Sequence, residues 1–473
     1  MNERFPTHAC QTLVVWYHAP GLRTPETLKQ KSGKLVPLIA WAGLLATSAS
    51  ALDVELARFV AAKEIQARQL AEAQTNKVPS IVGSFFDAVR VDDWETATNL
   101  HARLGRGSGR YTSETNPPFP GLQTEVWQPI SETFGAYEQF HDWDKKWLRR
   151  FGREIIDSIP KGSIYFGGTD PGRFWISAMS ESHRDGRPFF TLTQNQLADG
   201  TYLEYLRKMY GDKLYIPTAD DSQATFQEYL TNAQQRLKAG KLRPGEDVRS
   251  VDNRVQVSGQ VAVMAINGLL VKIILKKNPD HEFYLEESFP LDWMYPQLSP
   301  HGLIMKLHPE PLTTLREAEV QKDFDYWKRF VGELIGDWIT DKTSVKEVCD
   351  FNEKICLRKD LAGFKGDAGF ARNPDTQKTF SKLRCSIAGL YAWRANQSQD
   401  RDEKTRMRNA ADLAYRQALA LCPSLPEAVF RYCNWLVERK RYSEAVLVAD
   451  TCRRLDPDNS AVRDLLRSLR NAE

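Results

Sequence analysis

The chain has 473 residues, of which 42% are apolar and 11% aromatic, and this composition excludes a disordered chain. Its 64 basic and 61 acidic residues leave a formal net charge of only +3, which argues against a protein that binds nucleic acid through a basic surface. At roughly 100–200 residues per domain, the length predicts two to four domains.

The first 51 residues have the order of an export signal. Lys29, Lys31 and Lys34 precede an apolar run over residues 35–46, and the small residues of 49–51 follow it. A signal peptidase substrate needs this order, and the run is shorter than the roughly 20 residues of a membrane span. An uncleaved anchor or an ordinary buried helix is the alternative. We predict a signal peptide over 1–51 and an exported mature chain, periplasmic or associated with the cell envelope, without a membrane span.

The charge of the mature chain follows from this cleavage. Residues 1–51 contain five basic and two acidic residues, so 59 of each remain and the formal net charge becomes zero. A nucleic-acid partner is therefore not expected, because such a partner requires cationic groups that displace counterions.

Six cysteines remain in the mature chain, and an even number in an exported protein permits disulfides. The sequence has no Cys-x-x-Cys and no cysteine–histidine spacing typical of a zinc site, so no metal site is predicted. Cys433 and Cys452 are most simply small packing residues, and a disulfide between them is the other interpretation.

Residues 52–158 form a predicted N-terminal helical region. Apolar side chains recur at helical spacing on both sides of the polar segment 91–93, which we interpret as the turn of a helical hairpin. A loop rich in Gly, Pro, Ser and Thr over 105–125 separates the hairpin from a further helical stretch over 126–158.

Residues 159–312 alternate short apolar segments with helical ones. We predict strands over 163–166, 189–193, 214–217, 282–285 and 302–307. Short connections between strand and helix imply right-handed crossovers, so the predicted fold class is α/β, a parallel-type sheet with flanking helices. The apolar stretch 258–277 is interpreted as a buried helix, with a transmembrane helix as the second interpretation.

Polar residues follow three of the predicted strands. In open parallel sheets ligands bind at the carboxyl ends of strands, and the helix that follows can offer free N–H groups to an anion. Aspartate or glutamate here could act as a general base or accept hydrogen bonds from sugar hydroxyls. The candidate ligand-binding residues are Gly167, Gly168, Thr169, Asp170, Arg173, Gln194, Asn195, Glu286 and Glu287.

The loop Gly-Gly-Thr-Asp-Pro-Gly does not match a known phosphate-binding motif. It is neither G-x-G-x-x-G nor a P-loop, so no cofactor is identified. The alternative role for Asp170 is a helix cap followed by Pro171 in the first turn, which suits an Asp-Pro pair.

Residues 313–377 form a predicted helical linker region, and a repeat follows over 378–473. Pro423 and Pro457 lie 34 residues apart, which is the period of the tetratricopeptide unit. Ala428 and Tyr432 lie on the first helix of the unit and Ala445 on the second. Residues 378–471 resemble the tetratricopeptide family, with one complete unit after a degenerate unit whose helices are separated by a charged insertion at 397–407.

The α/β region carries a second resemblance, over about residues 158–310. The segments GSIYFGGTDPGRF, FFTLTQNQLADGTYLEYL, EFYLEESF and HGLIMKL, together with the apolar helix, look like the soluble region of a family of multispanning bacterial membrane proteins. That family is distantly related to protein O-mannosyltransferases. This chain lacks the membrane spans that would carry lipid-linked sugar transfer, so the resemblance implies an envelope setting and glycan recognition without the transferase activity.

Two functions are consistent with these patterns. The first is an exported, envelope-associated interaction protein whose α/β domain binds a small polar or glycan ligand and whose repeat docks a protein partner. The second is an enzyme acting on a sugar or nucleotide-like substrate, with Asp170 and Glu286 or Glu287 as acid–base groups. A purely structural role is the third interpretation.

Overall fold

The computed structural model describes residues 52–73, 79–110, 117–180, 186–243, 245–251, 254–286 and 292–472. The predicted signal peptide lies outside the described residues. Within them, helices predominate and surround one small mixed sheet, which agrees with an α/β region between helical regions. No helix in the described ranges is both long and apolar enough to cross a membrane.

Five helices precede the sheet. They are α1 (Val54–Ala73), α2 (Ser80–Arg90), α3 (Trp94–Gly107), α4 (Trp127–Asp142) and α5 (Lys145–Ile156). The predicted hairpin is confirmed as α2 and α3, and its turn places Asp92 at φ 58° while Asp93 caps α3 by accepting from the backbone nitrogen of Thr96. The predicted single stretch 126–158 is two helices, because Asp144 caps a new helix by accepting from the backbone nitrogens of Lys146 and Trp147.

The α/β region contains seven strands among the described residues. In chain order its elements are β1 (Ile164–Gly167), α6 (Ile176–Ser180), β2 (Phe190–Thr193), α7 (Gly200–Tyr210), α8 (Ala219–Lys238), β3 (Asp247–Val251), β4 (Arg254–Ser258), α9 (Gln260–Lys277), β5 (Phe283–Leu285), β6 (Leu298–His301) and β7 (Ile304–Leu307). The main sheet has the order β2-β1-β5-β7-β6. Strands β2, β1 and β5 are parallel, and their carboxyl ends meet at one edge.

The prediction of a parallel sheet was wrong for the side of the sheet formed by β7 and β6. Strand β7 pairs antiparallel with both β5 and β6, so the sheet is mixed, and β6 was not predicted. The predicted strand 214–217 is not a strand: the backbone nitrogen of Tyr215 donates to the Asn278 side chain at 2.8 Å, and Pro217 has no N–H to offer a ladder. The polar segment before α9 forms the separate hairpin β3–β4.

Helix α9 is the apolar helix that the sequence predicts, and most of its residues are buried, with α8, β4 and the turn after β2 packed against it. Its buried Asn267 is fully shielded from solvent and accepts from the backbone nitrogen of Ala198 at 2.7 Å, in the loop between β2 and α7. The helix thus fixes the loop that follows β2.

Eight helices follow the sheet in the described part of the chain. They are α10 (Glu317–Ile335), α11 (Val345–Asn352), α12 (Ala368–Arg372), α13 (Pro374–Gln397), α14 (Arg401–Leu421), α15 (Pro426–Val437), α16 (Tyr442–Leu455) and α17 (Ser460–Ala472). The charged segment 397–407 is not an insertion between helices as predicted, because most of it is the first part of α14. Residues 398–400 alone connect α13 to α14.

A buried ion pair joins the C-terminal helices to α10. The guanidinium of Arg384 on α13 donates to the Asp323 carboxylate at 2.8 Å, and the Tyr391 hydroxyl donates to the same oxygen at 2.9 Å. Both charged side chains are almost completely buried, at 2% and 3% exposure. The last helices therefore pack on the rest of the chain through a shielded polar contact as well as through apolar surface.

Cys433 and Cys452 are completely buried on α15 and α16, and all six described cysteines are free thiols. The Cys433 thiol donates to the backbone oxygen of Ala445 at 3.4 Å. This geometry fits the packing role that the sequence favours and not the disulfide.

Candidate functional site

The candidate site begins where β1 ends. A Cβ atom on Gly167 would lie 2.6 Å from the backbone oxygen of Gly172, which is closer than real Cβ contacts. The chain turns here into the short helical segment Pro171–Trp175, which continues into α6. These two glycines thus allow strand and helix to approach closely, which is a packing reason for the Gly-rich loop.

Glu286, the residue after β5, fills the space that the sequence assigns to a ligand. One of its carboxylate oxygens accepts from the backbone nitrogens of Gly168 at 2.6 Å and Thr169 at 2.7 Å. The other accepts from the Thr169 hydroxyl. Glu286 is 1% exposed, and a Cβ atom on Gly172 would lie 1.9 Å from its carboxylate. The Glu286 carboxylate, which the sequence proposes as an acid–base or ligand-binding group, thus lies buried against the N–H groups of the loop rather than open to solvent.

Thr169 caps the helical turn, and Asp170 does not. The Thr169 hydroxyl accepts from the backbone nitrogen of Gly172 at 3.0 Å, whereas Asp170 has helical backbone angles and its side chain makes no capping hydrogen bond. The alternative role that the sequence suggests for Asp170 is therefore wrong, and the cap lies one residue earlier. The Asp170 carboxylate is left at the surface, with 52% of the side chain exposed.

Asp170, Arg173 and Asn195, three of the candidate residues, lie close together at the sheet edge. Arg173 donates through Nε to the Asp170 carboxylate at 3.0 Å and through Nη1 to the Asn195 amide oxygen at 3.4 Å. The Asn195 amide donates to the backbone oxygen of Gly168 at 3.5 Å. The Arg173 guanidinium also lies over the Phe174 ring, 4.3 Å from its centre. This arrangement orients one carboxylate, one guanidinium and one amide toward the same edge.

Two other predicted residues do not join this group. Gln194 is 2% exposed and is therefore shielded from a ligand in solution. Glu287 lies outside the described residues. Over the parts of the chain that the structure describes, no cluster of histidine, cysteine, aspartate and glutamate could hold a metal ion.

Glu138 on α4 is a site residue that sequence reasoning missed. Helix α4 packs so closely on the loop that a Cβ atom on Gly135 would lie 2.0 Å from the Phe174 ring. Burial, together with the negative charges of Asp170 and Asp142, raises the pKa of Glu138 from 4.5 to about 7, and Arg173 opposes the shift only in part. The helical spacing of Gly135 and Glu138 signals a shared face, but nothing in the sequence shows that this face covers the sheet edge.

The site therefore consists of Asp170, Arg173 and Asn195, with Glu138 near enough for the charges of Asp170 and Arg173 to act on it. The Glu286 carboxylate fixes the loop that precedes Asp170. The charged groups of the site can accept and donate hydrogen bonds at once, and the neighbouring Glu138 carboxyl titrates close to neutral pH. Two cavities found among the described residues lie elsewhere, one along α5 and one beside α14 and α15.

Comparisons with protein-family profiles, with curated sequences and with solved structures return no match. The function is therefore argued from the geometry of the chain itself.

Proposed function

We propose that the α/β region binds a small polar ligand with neighbouring hydroxyl groups, such as a sugar, at the shared carboxyl edge of β1 and β2. The half-exposed Asp170 carboxylate, oriented by Arg173 beside Asn195, carries this proposal. A carboxylate accepts from hydroxyl groups, a guanidinium donates to them and an amide does both. The position also fits the rule that ligands of open α/β sheets bind at the carboxyl ends of parallel strands.

A thermal-shift titration tests the proposal. Mannose, glucose, N-acetylglucosamine and galacturonate are each added to the full chain and to Asp170→Asn. At a concentration about 100 times the Kd, a ligand stabilises the folded state by about 2.7 kcal/mol, so a sugar that binds raises Tm. The proposal predicts a rise for at least one sugar and its loss in Asp170→Asn. An equal rise in both proteins, or none in either, contradicts it.

The raised pKa of Glu138 favours a second candidate, an enzyme that acts on a sugar bond. A carboxylic acid with a pKa of about 7 can give a proton to a leaving group, and Asp170 beside it can act as the base. Hydrolysis of nitrophenyl glycosides by the full chain tests this role. Turnover that disappears in Glu138→Gln supports the enzyme. Sugar binding without turnover supports the first proposal, a sugar-binding protein.

We also propose that the chain is exported and that its C-terminal helices dock a protein partner. The basic, apolar and small segments of residues 1–51 support export, and the 34-residue spacing of Pro423 and Pro457 supports docking. The intact mass of the protein recovered from its cellular location tests export, with a chain that begins at Leu52 expected. A mass that includes residues 1–51 contradicts cleavage.

A further inference from the structure

A cavity of about 500 Å³ lies between the first half of α14, the end of α15 and the turn that leads into α16. Its volume falls in the range of small-molecule sites, roughly 300–1,000 Å³. The residues that matter for its chemistry are Arg408 on α14, Trp435 on α15 and Lys440 in the turn. This cavity is separate from the sheet edge and does not depend on the function proposed there.

The acidic side chains of the cavity are already neutralised within the chain. The Asp412 carboxylate forms ion pairs with the guanidinium groups of Arg441 at 2.7 Å and Arg416 at 3.3 Å. Glu438 pairs with Arg439 at 3.1 Å. The cavity therefore carries an excess of positive charge once these internal pairs are set aside.

Two exposed cationic side chains of the cavity have no acidic partner within the described chain. Arg408 and Lys440 form no ion pair with any acidic side chain that the structure describes. The indole nitrogen of Trp435 is buried without a hydrogen-bond partner in the same part of the chain, and the residue as a whole is only 3% exposed. This nitrogen is shielded from solvent, and the Arg439 guanidinium lies 3.0 Å from the centre of the ring, so Trp435 forms a wall of the cavity rather than a donor that a ligand reaches.

Lys440 also occupies a backbone conformation that lysine rarely adopts. Its φ is 60°, in the left-handed region that glycine and asparagine enter more readily. This is the conformation of an ordinary helix C-terminus, because the backbone nitrogen of Arg441 donates to the oxygen of Leu436 at 2.9 Å, so the turn itself accounts for it and asparagine can replace lysine here.

We propose that this cavity binds a compact oxyanion, a carboxylate or phosphate group of a small molecule. The Arg408 guanidinium and the Lys440 ammonium, both exposed and without an ion pair in the described chain, supply charge-assisted hydrogen bonds. Both groups donate and neither accepts, and the acidic side chains of the cavity are held in internal pairs, which favours an anion over a sugar or a cation.

Isothermal titration calorimetry on the full chain in low-salt buffer tests the proposal, with succinate, citrate and inorganic phosphate as separate probes. We expect at least one probe to bind. Arg408→Gln and Lys440→Asn should each weaken that binding by about tenfold, the loss typical of one charge-assisted hydrogen bond. Arg401→Gln, which removes an exposed charge at the start of the same helix, should leave the affinity unchanged. Comparison of the affinities for succinate and citrate with the affinity for inorganic phosphate shows whether the cavity prefers a carboxylate or a phosphate group.

Lys440→Asn keeps the test decisive if Arg408→Gln does not fold. Because asparagine suits a positive φ, this variant should fold with an unchanged or higher Tm while it loses affinity. The proposal is overturned if none of the three probes binds. It is also overturned if Lys440→Asn binds as tightly as the parent chain, or if Arg401→Gln loses affinity to the same extent.

Discussion

The Glu286 carboxylate lies 2.7 Å from the backbone nitrogen of Thr169 and accepts a hydrogen bond from it, which joins the end of β5 to the loop after β1. An anion of the chain itself therefore fills the loop that would otherwise resemble an anion-binding site. The groups left for a ligand lie on the outer side of that loop, at Asp170 and Arg173.

Replacing Glu286 with glutamine should lower the free energy of unfolding by about 1–3 kcal/mol for each buried donor left without an acceptor. The NH2 of the glutamine side chain cannot accept, so at least one of the donors from Gly168 and Thr169 loses its acceptor. Urea unfolding followed by circular dichroism measures the change. Asp280→Asn, at an exposed turn, serves as the control, and an equal effect of both variants would argue against a structural role for Glu286.

Gly172→Ala and Gly83→Ala should have opposite effects on Tm. A Cβ atom on Gly172 would lie 1.9 Å from the Glu286 carboxylate, whereas one on Gly83 in α2 meets nothing within 4 Å. The first change should therefore lower Tm by disrupting the loop. The second should stabilise the helix by about 0.5–1 kcal/mol, because glycine in a helix interior costs that much relative to alanine. Differential scanning calorimetry compares the two, and a Tm that Gly172→Ala leaves unchanged would contradict the packing described for the loop.

Glu138 should make the protein less stable as the pH rises from about 4.5 to about 7. Its pKa is raised in the folded state, so over that range the unfolded chain releases the proton while the folded chain retains it. The stabilisation is complete below pH 4.5 and is lost above pH 7. Glu138→Gln should raise the stability at pH 8 by an amount on the order of 1–3 kcal/mol and change it little at pH 4.5.

Thermal unfolding at the two pH values measures this difference. Glu95→Gln, at an exposed position of α3, is the matched control and should show no such pH dependence. A Glu138→Gln variant whose effect is the same at both pH values would show that the Glu138 carboxyl is not held in its protonated form.

The thiols of Cys433 and Cys452 should react with Ellman's reagent only after the protein unfolds. Both side chains are completely buried, and burial raises the pKa of each thiol to about 12, so little thiolate forms near neutral pH. Counting reactive thiols before and after addition of urea, without a reductant, measures this. Thiols that stay undetected even in urea would indicate a disulfide.

The sheet edge could be predicted because its signals are local. A short apolar strand followed by Gly-Gly-Thr-Asp-Pro-Gly and a helix places Asp170 and Arg173 after β1, and the same pattern places Asn195 after β2. Parallel pairing of β1 and β2 then brings the two loops together.

The remaining features depend on contacts between segments distant in the chain. Glu286 and Thr169 are 117 residues apart, so no local pattern shows that the carboxylate fills the loop. Glu138 joins the site only because α4 packs on the turn after β1. The segment 214–217 has the composition of a strand, but the side chain of Asn278 takes its backbone hydrogen bonds instead.

The most direct measurement for the proposed site is calorimetric titration of the sugar that raises Tm most, into the full chain and into Asp170→Asn. Asp170→Asn should fold with an unchanged Tm, because Thr169 and not Asp170 caps the helical turn. It should bind the sugar about tenfold or more weakly, since one charged acceptor is lost. Asp280→Asn should bind like the parent chain. If Asp170→Asn binds the sugar with unchanged affinity, the sheet edge is not the ligand site.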